Sequence, residues 1–317
     1  MNNNASVTIR PPKPDEYEKI IACIKEARGS SYYSAAYYDA AYLRGDEHEL
    51  FAAFDDNGEM AGFTGLSGSP FENDKSTLSV LNIRPAYTGR GIATELLSYS
   101  VELLKSREAR LVKGYTVTRY PAIQHVLEDL GLKPAGVLRC VRDGKNADPL
   151  VHGKCTLAIY ARNFAADVTE PLFVHTDAAG LAVKVYSDLG IELKVETVGQ
   201  SSVSNDISHY YDSHDDVIFT NVNECESGLG KHLGESLQYP KSPNTTELVF
   251  LNLYSPSAIC GYESLRDAGY RFCGFDPLGK LEYAVFYRGY MHCVKPETTG
   301  CLASLLSGIN EVDYDYA

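Results

Sequence analysis

The stretch 78–97 constrains this chain more than any other. Its first part, 78–83, is an apolar run that reads as a strand, and Pro85 stops it. Gly89 and Gly91 follow in a short turn. Then Ile92, Leu96, Leu97, Val101 and Leu104 recur at helical spacing. A strand, a glycine turn and a helix in that order suit a phosphate. The first N–H groups of a helix have no partner inside it, and its dipole favours an anion there. Glycine lets the backbone approach where a Cβ would collide, and Arg90 adds a pairing charge. The same arrangement also serves as an ordinary helix entry, so the surroundings must decide.

A length of 317 residues allows two domains with sizeable cores. Hydrophobic content of 44% and charged content of 22% are those of an ordinary globular protein. No apolar stretch approaches the ~20 residues of a membrane span. The first residues lack the basic-then-apolar pattern of a signal peptide, which makes the cytoplasm the expected compartment and a membrane partner unexpected. A net charge of −13 argues against a nucleic-acid partner, because holding a phosphate backbone depends on Lys and Arg. It suits a cationic or amine-bearing partner, and it equally serves solubility. Cys23, Cys140, Cys155, Cys225, Cys260, Cys273, Cys293 and Cys301 lie far apart, without a Cys-x-x-Cys pair. That spacing announces neither a metal site nor a disulfide framework, and the cysteines are read as reduced thiols, mostly in the core.

The periodicity predicts a strand at 6–10 and an amphipathic helix from Pro14 carrying Tyr17, Ile20, Ile21, Ile24 and Ala27. A tyrosine-rich stretch follows, with Tyr32, Tyr33, Tyr37, Tyr38 and Tyr42 at a spacing that fits a helix face. Runs at 50–55 and 60–66 flank Asp56, Asn57 and Gly58, a hairpin signal because Asn-Gly supplies positive φ. After the glycine turn and its helix come a strand at 111–118 and a helix at 121–130 ended by Gly131. Strands at 133–141 and 155–160 complete the unit. The order is β-α-α-β-β-β-α-β-α-β-β over 5–163. The pattern lapses at 163–170 and a second unit starts at Leu172, which divides the chain into 1–163 and 164–317.

The second unit partly repeats the first. Residues 127–138 match 265–276 in spacing: a helix end, a capping glycine (Gly131, Gly269) and a strand with another glycine five positions on (Gly136, Gly274). Strands are expected at 217–222 and 248–254, with a helix at 228–238 between them. A repeat at this separation indicates two copies of one fold.

Element order, the proline-then-glycine turn and the helix–glycine–strand ending together resemble the GNAT acyltransferase superfamily. Its pyrophosphate loop reads Arg/Gln-x-x-Gly-x-Gly/Ala. Here Thr88, Gly89, Arg90, Gly91, Ile92 and Ala93 occupy it, with Thr88 in place of the Arg or Gln. More closely, residues 5–290 resemble bacterial tandem proteins in which an acetyltransferase half precedes a degenerate one. The resemblance implies an α/β fold with a mixed sheet, and an acetyl-CoA co-substrate lying where two parallel strands part near Arg84 and Val112. Backbone amides of Thr88, Gly89, Arg90, Gly91, Ile92, Ala93 and Thr94 would hold the pyrophosphate. Main-chain groups of Leu81 and Ile83 would pair with the pantetheine arm like an added strand. An amine would attack the thioester carbonyl while a base takes its proton and an acid protonates the departing thiolate.

Where the superfamily often places a Glu or Asp, on the strand before the glycine loop, 78–84 has no carboxylate. Its usual tyrosine, four residues before the helix-ending glycine, is Leu127, and a frequent asparagine near that helix start is Tyr120. Tyr120 and, after it, Tyr115 are the candidate acids, and each also suits an aromatic packing role. Tyr33, Tyr37 and Tyr38 fall where the superfamily covers its acceptor, as an aromatic wall or as one face of an ordinary helix. His125 and His152 are weaker base candidates. The glycines from Gly228 to Gly234 sit where a second loop would fall but lack the proline entry. The second half is therefore read as structural or substrate-covering, without a nucleotide or metal, and 311–317 as a mobile tail.

Two functions follow. One is an acetyl-CoA-dependent N-acyltransferase acting on the amine of a small molecule or peptide. The other is a catalytically impaired acyl-CoA sensor or partner-docking protein. Acylation of an aminoacyl-tRNA is disfavoured by the charge. The acceptor, acyl chain and oligomeric state are not legible.

Overall fold

The computed structural model describes residues 7–28, 48–69, 72–144, 153–165, 170–236, 239, 242–277, 282–289 and 294–312. In the first half, β1 (Thr8–Arg10) and a 3-10 turn (Pro14–Glu16) lead into α1 (Tyr17–Arg28). Three strands follow, β2 (His48–Phe54), β3 (Met60–Ser69) and β4 (Glu72–Ile83). A second 3-10 turn (Pro85–Tyr87) enters α2 (Ile92–Ser106). Then come β5 (Leu111–Val117), α3 (Pro121–Asp129), β6 (Lys133–Asp143) and β7 (Lys154–Asn163). Each expected element of this half that falls on described residues is present, with β3, β4, β6 and β7 longer than the apolar runs suggested.

The alternation along β2 explains the layers. Leu50, Ala52 and Phe54 meet Ile20, Cys23 and Ile24 of α1 on one face. Ala53 meets Ile92 and Leu96 of α2 on the other, and Phe51 joins Leu97, Val101 and Leu104 there. A strand with period two and both faces covered reads as a nearly continuous apolar run.

The second half contains β8 (Leu172–Phe173), α4 (Thr176–Asp188), β9 (Val195–Glu196) and β10 (Asp206–Asp212). It continues with β11 (Val217–Glu224), α5 (Leu229–Ser236), β12 (Thr246–Asn252) and α6 (Ala258–Asp267). It ends with β13 (Arg271–Pro277), β14 (Glu282–Arg288) and α7 (Gly300–Val312). Sequence periodicity missed α4, β10, β14 and α7, and the two-residue β8 and β9. Residues 311 and 312, assigned above to a tail, close the last turn of α7.

Twelve strands form one sheet in the order β1-β2-β3-β4-β5-β7-β6-β13-β14-β12-β11-β10. Outward from the joint between β6 and β13 the order reads alike on both sides. It runs β6, β7, β5, β4 on one and β13, β14, β12, β11 on the other, and in each the last two are a parallel pair. At the joint itself Gly136 pairs with Gly274, the two glycines equivalent in the repeat.

One cysteine departs from expectation. Cys140, buried in β6 with a φ of +50°, is disulfide-bonded, whereas Cys23, Cys155, Cys225, Cys260, Cys273 and Cys301 are free. Spacing along the chain cannot disclose a disulfide closed by the fold. No helix among the described residues is long and apolar enough to cross a membrane.

Candidate functional site

The strand–turn–helix unit is built rigidly. Arg84, just after β4, donates from Nε and Nη2 to the two Glu26 oxygens at 2.7 and 2.6 Å, and from Nη1 to the Met60 carbonyl at 3.2 Å. Tyr87 donates its hydroxyl to Asp55 Oδ2 at 2.7 Å. The other Asp55 oxygen accepts from the Asn57 and Glu59 amides. Those bonds, Tyr87 foremost, hold the Asp55 carboxyl below its ordinary range. The Arg90 guanidinium lies 5.2 Å from the centre of the Tyr87 ring. Gly89 and Gly91 adopt φ of +78° and +82°, a region other residues avoid. The first helical bond runs from Glu95 N–H to Gly91 O at 3.1 Å, so the amides of Ile92, Ala93 and Thr94 precede the helical ladder. Thr88, Gly89, Arg90, Gly91 and Thr94 are exposed. The sequence-derived loop is thus an exposed turn at a helix N-terminus, with two glycines at positive φ.

Beside this loop the sheet opens. β4 and β5 pair in parallel at Thr77–Lys113 and Leu78–Gly114, and no further pair joins them among the described residues. Two residues on, Val80 takes a φ of +47°, and the register between β3 and β4 shifts opposite it, between Phe63 and Gly65. A Cβ on Gly65 would press on Val80 and Leu50 at 3.0 Å, so glycine there leaves room for the bulge. Asn82 pairs with Phe63, and the Arg84 amide donates to Ala61. By alternation, the main-chain groups of Leu81 and Ile83 face the parting strands. The Leu81 carbonyl already accepts from Arg28 Nη2 at 3.3 Å. Ile83 has no such cover among the described contacts.

Tyr120 stands at the N-cap of α3, at the end of β5, and is partly exposed. Tyr115 is differently employed. Its hydroxyl donates to Asp276 Oδ2 at 3.0 Å, while Lys113 Nζ donates to Asp276 Oδ1 at 2.9 Å. Burial, then the Asp276 charge, raises the Tyr115 pKa well above the ordinary phenol. Leu127 is buried, and a Cβ on Gly114 would touch it at 3.6 Å, so this position is packing. His125 is exposed on α3. Tyr33, Tyr37, Tyr38 and His152 lie outside the described residues. Asp276 and Lys113 escaped the sequence reading. The available signals were a lysine inside the apolar strand 111–117 and an aspartate at the repeat position where the first copy has Leu138.

The matching region of the second half is closed. β11 and β12 pair at six consecutive positions, from Val217–Thr246 to Val222–Leu251. Past their ends Glu224 accepts hydrogen bonds from Ser255 and Ser257 at 2.8 and 3.3 Å. Gly199 lies so close to Pro256 and Ile259 that a Cβ would collide with both. Gly230 fits α5 against α6, where a Cβ would meet Ser264 O at 2.5 Å, and its amide is taken by Ser264 Oγ at 2.9 Å.

The family model for the acetyltransferase (GNAT) family matches residues 15–131. A curated relative in Bacillus subtilis (strain 168), named "Putative ribosomal protein bS18-alanine N-acetyltransferase", is 25% identical over 131 residues, covering 40% of this chain and 84% of its own. Among solved structures, the ribosomal-protein-S18-alanine N-acetyltransferase of Escherichia coli is similar at 20% identity and a TM-score of 0.41, over 50% of this chain and 95% of that one. An N-acetyltransferase from Staphylococcus aureus Mu50 is similar at 18% identity and a TM-score of 0.41, over 51% and 100%.

Proposed function

Residues 15–131 are a domain of the acetyltransferase (GNAT) family, and on that premise we propose that the chain transfers an acetyl group from acetyl-CoA to a primary amine. The observation that carries the reading is the parting of β4 from β5 after Leu78–Gly114, beside the unpaired amides that open α2. The amides of Ile92, Ala93 and Thr94, with the turn through Gly89 and Gly91, receive the pyrophosphate, and Arg90 supplements them. The pantetheine arm lies along Leu81 and Ile83, with Ile83 the better edge because Arg28 occupies the Leu81 carbonyl. The amine nitrogen bonds to the acyl carbon, the C–S bond breaks, and the thiolate takes a proton. Tyr120, at the mouth of the parted strands, gives that proton. Tyr115 does not, since its hydroxyl is committed to Asp276. With no carboxylate on 78–84, the acceptor enters as the neutral amine and a chain of water takes the proton it loses on acylation. A relative named for a ribosomal-protein alanine supports testing a protein amine beside small-molecule amines as acceptors.

The second half, in this reading, is a degenerate copy that binds no nucleotide. The six-residue pairing of β11 with β12 and the consumed Gly230 amide support that role.

Calorimetric titration with acetyl-CoA, against CoA and ATP, is the first experiment. Micromolar binding to both CoA species and none to ATP is expected, and failure of acetyl-CoA to bind refutes the reading. Leu127 at the usual tyrosine position favours a second reading, an acyl-CoA binder without turnover. Release of free CoA on adding an amine separates the two.

A further inference from the structure

We propose that Asp276, a residue of the second half, is a positioning residue for the parted strands of the first. It grips β5 on both sides of the point where β4 leaves. Gly114 is the last β5 residue paired with β4. Its two neighbours, Lys113 and Tyr115, both bond the single Asp276 carboxylate, one to each oxygen, at 2.9 and 3.0 Å. The ion pair is withdrawn from solvent, with side-chain exposures of 0% for Lys113 and 4% for Asp276. Charges so buried cannot be exchanged for water, so the three side chains hold one geometry. The Lys113 ammonium also lies 5.1 Å from the centre of the Tyr115 ring, which locks the ring to the same cluster.

The two copies are supported differently. In the repeat that aligns 127–138 with 265–276, the counterpart of Asp276 is Leu138, which is buried and has no charge to lend. The second half holds β5 by a carboxylate at the point where β4 leaves it, whereas the first half meets β12 at its opening residue, Thr246, which accepts from Lys154 Nζ at 3.2 Å and donates to the Cys140 carbonyl at 2.7 Å. The outcomes match: β4 and β5 part after two pairs, while β11 and β12 stay paired over six. Held toward β13, β5 cannot swing back onto the free edge of β4. The second half, closed to ligand itself, is thereby a working part of the first site. This inference rests on the reading of the parted strands as the acetyl-CoA cleft.

The test replaces both charges together, Lys113→Met with Asp276→Leu, which removes the anchor without stranding a buried ion. Acetyl-CoA affinity is measured by calorimetry, amide exchange at 115–117 by mass spectrometry, and folding by urea midpoint. We expect a folded protein with at least tenfold weaker acetyl-CoA binding and at least tenfold faster exchange at 115–117. Tyr115→Phe, which removes one hydroxyl and keeps the ion pair, serves if the double variant does not fold, with two- to fivefold changes expected. Tyr270→Phe is the control. It deletes a hydrogen bond to Glu247 at 2.6 Å just before β13, at the end of that strand away from Asp276, and lower stability with unchanged affinity is expected. Parental affinity and exchange in the folded variants overturn the proposal, as does an equal affinity loss in the control. Should the parent bind no acetyl-CoA, the cofactor reading fails, and unchanged exchange at 115–117 independently overturns the anchor.

Discussion

Replacing Gly136 by alanine should weaken the whole molecule, because it strikes the joint through which twelve strands become one sheet. A Cβ at Gly136 would lie 2.5 Å from the Phe275 carbonyl oxygen, 2.8 Å from the Phe275 nitrogen and 3.1 Å from the Cys273 oxygen. All three are backbone atoms of β13, so no side chain can rotate away and the strands must separate. Overpacking a closed site costs about 1–3 kcal/mol, and an obstacle made of main chain belongs at the upper end, about 3 kcal/mol. For a chain of this size each kcal/mol lowers Tm by roughly 2–4 °C, which gives a fall of roughly 6–12 °C. Gly180 supplies the opposite sign. It lies inside α4, is exposed, and a Cβ there would meet nothing within 4 Å. Gly180→Ala should therefore gain about 0.5–1 kcal/mol from helix propensity. Urea unfolding followed by circular dichroism, with midpoints and slopes compared, reads both. If Gly136→Ala unfolds within about 0.5 kcal/mol of the parent, below the usual overpacking cost, the contact across the joint is not what holds the halves together.

Three further outcomes are expected. Gly230→Ala should destabilise by about 1–3 kcal/mol, since its Cβ would collide with Ser264 O and Ala268 where α5 meets α6; a parental urea midpoint would refute the packing role. Arg90→Glu, an exposed charge reversal, should leave Tm unchanged and weaken acetyl-CoA binding about tenfold by opposing a phosphate charge, and equal affinity in calorimetry would remove Arg90 from the site. In alkali, burial lifts the thiols of Cys23 and Cys225 from 9.0 to about 12 and about 11. The unfolded chain ionises first, so this stability is complete below pH 9 and is lost as pH rises through 11 to 12, by up to about 1.4 kcal/mol per pH unit for each thiol. Urea midpoints should fall over that window, and less steeply in Cys23→Ala; identical pH profiles would refute the assignment.

The glycine loop was legible because its requirements are local. Positive φ at Gly89 and Gly91, a proline that ends a strand, and apolar residues at helical spacing all act within a few positions. A β-branched residue at Gly91, at φ +82°, would strain the backbone, so charge reversal at Arg90 is the cleaner probe of the loop. Less was legible where packing supplies the signal. α4 carries Gly180 and β10 carries Asp206, Ser208 and Asp212, so neither announces its element by composition. Cys140 reads along the chain as one more core thiol.

The parting of the strands illustrates the deeper limit. β4 with β5 and β11 with β12 are parallel pairs at matching places in the sheet, and both are built from apolar runs. Periodicity assigns them the same structure, since it reports which face a residue takes and not how far two strands stay together. What differs lies across strands. β5 meets a carboxylate from β13, whereas β12 is zipped to β11 and roofed by Gly199 against Pro256. One sequence difference that goes with this is Leu138 in one copy of the repeat and Asp276 in the other. Its meaning depends on Lys113, 163 residues from Asp276, being buried beside it. A buried lysine demands a partner, so Lys113 in an apolar strand already required some carboxylate to arrive. The sheet shows that it comes from β13, in the half whose matching strands stay paired over six positions.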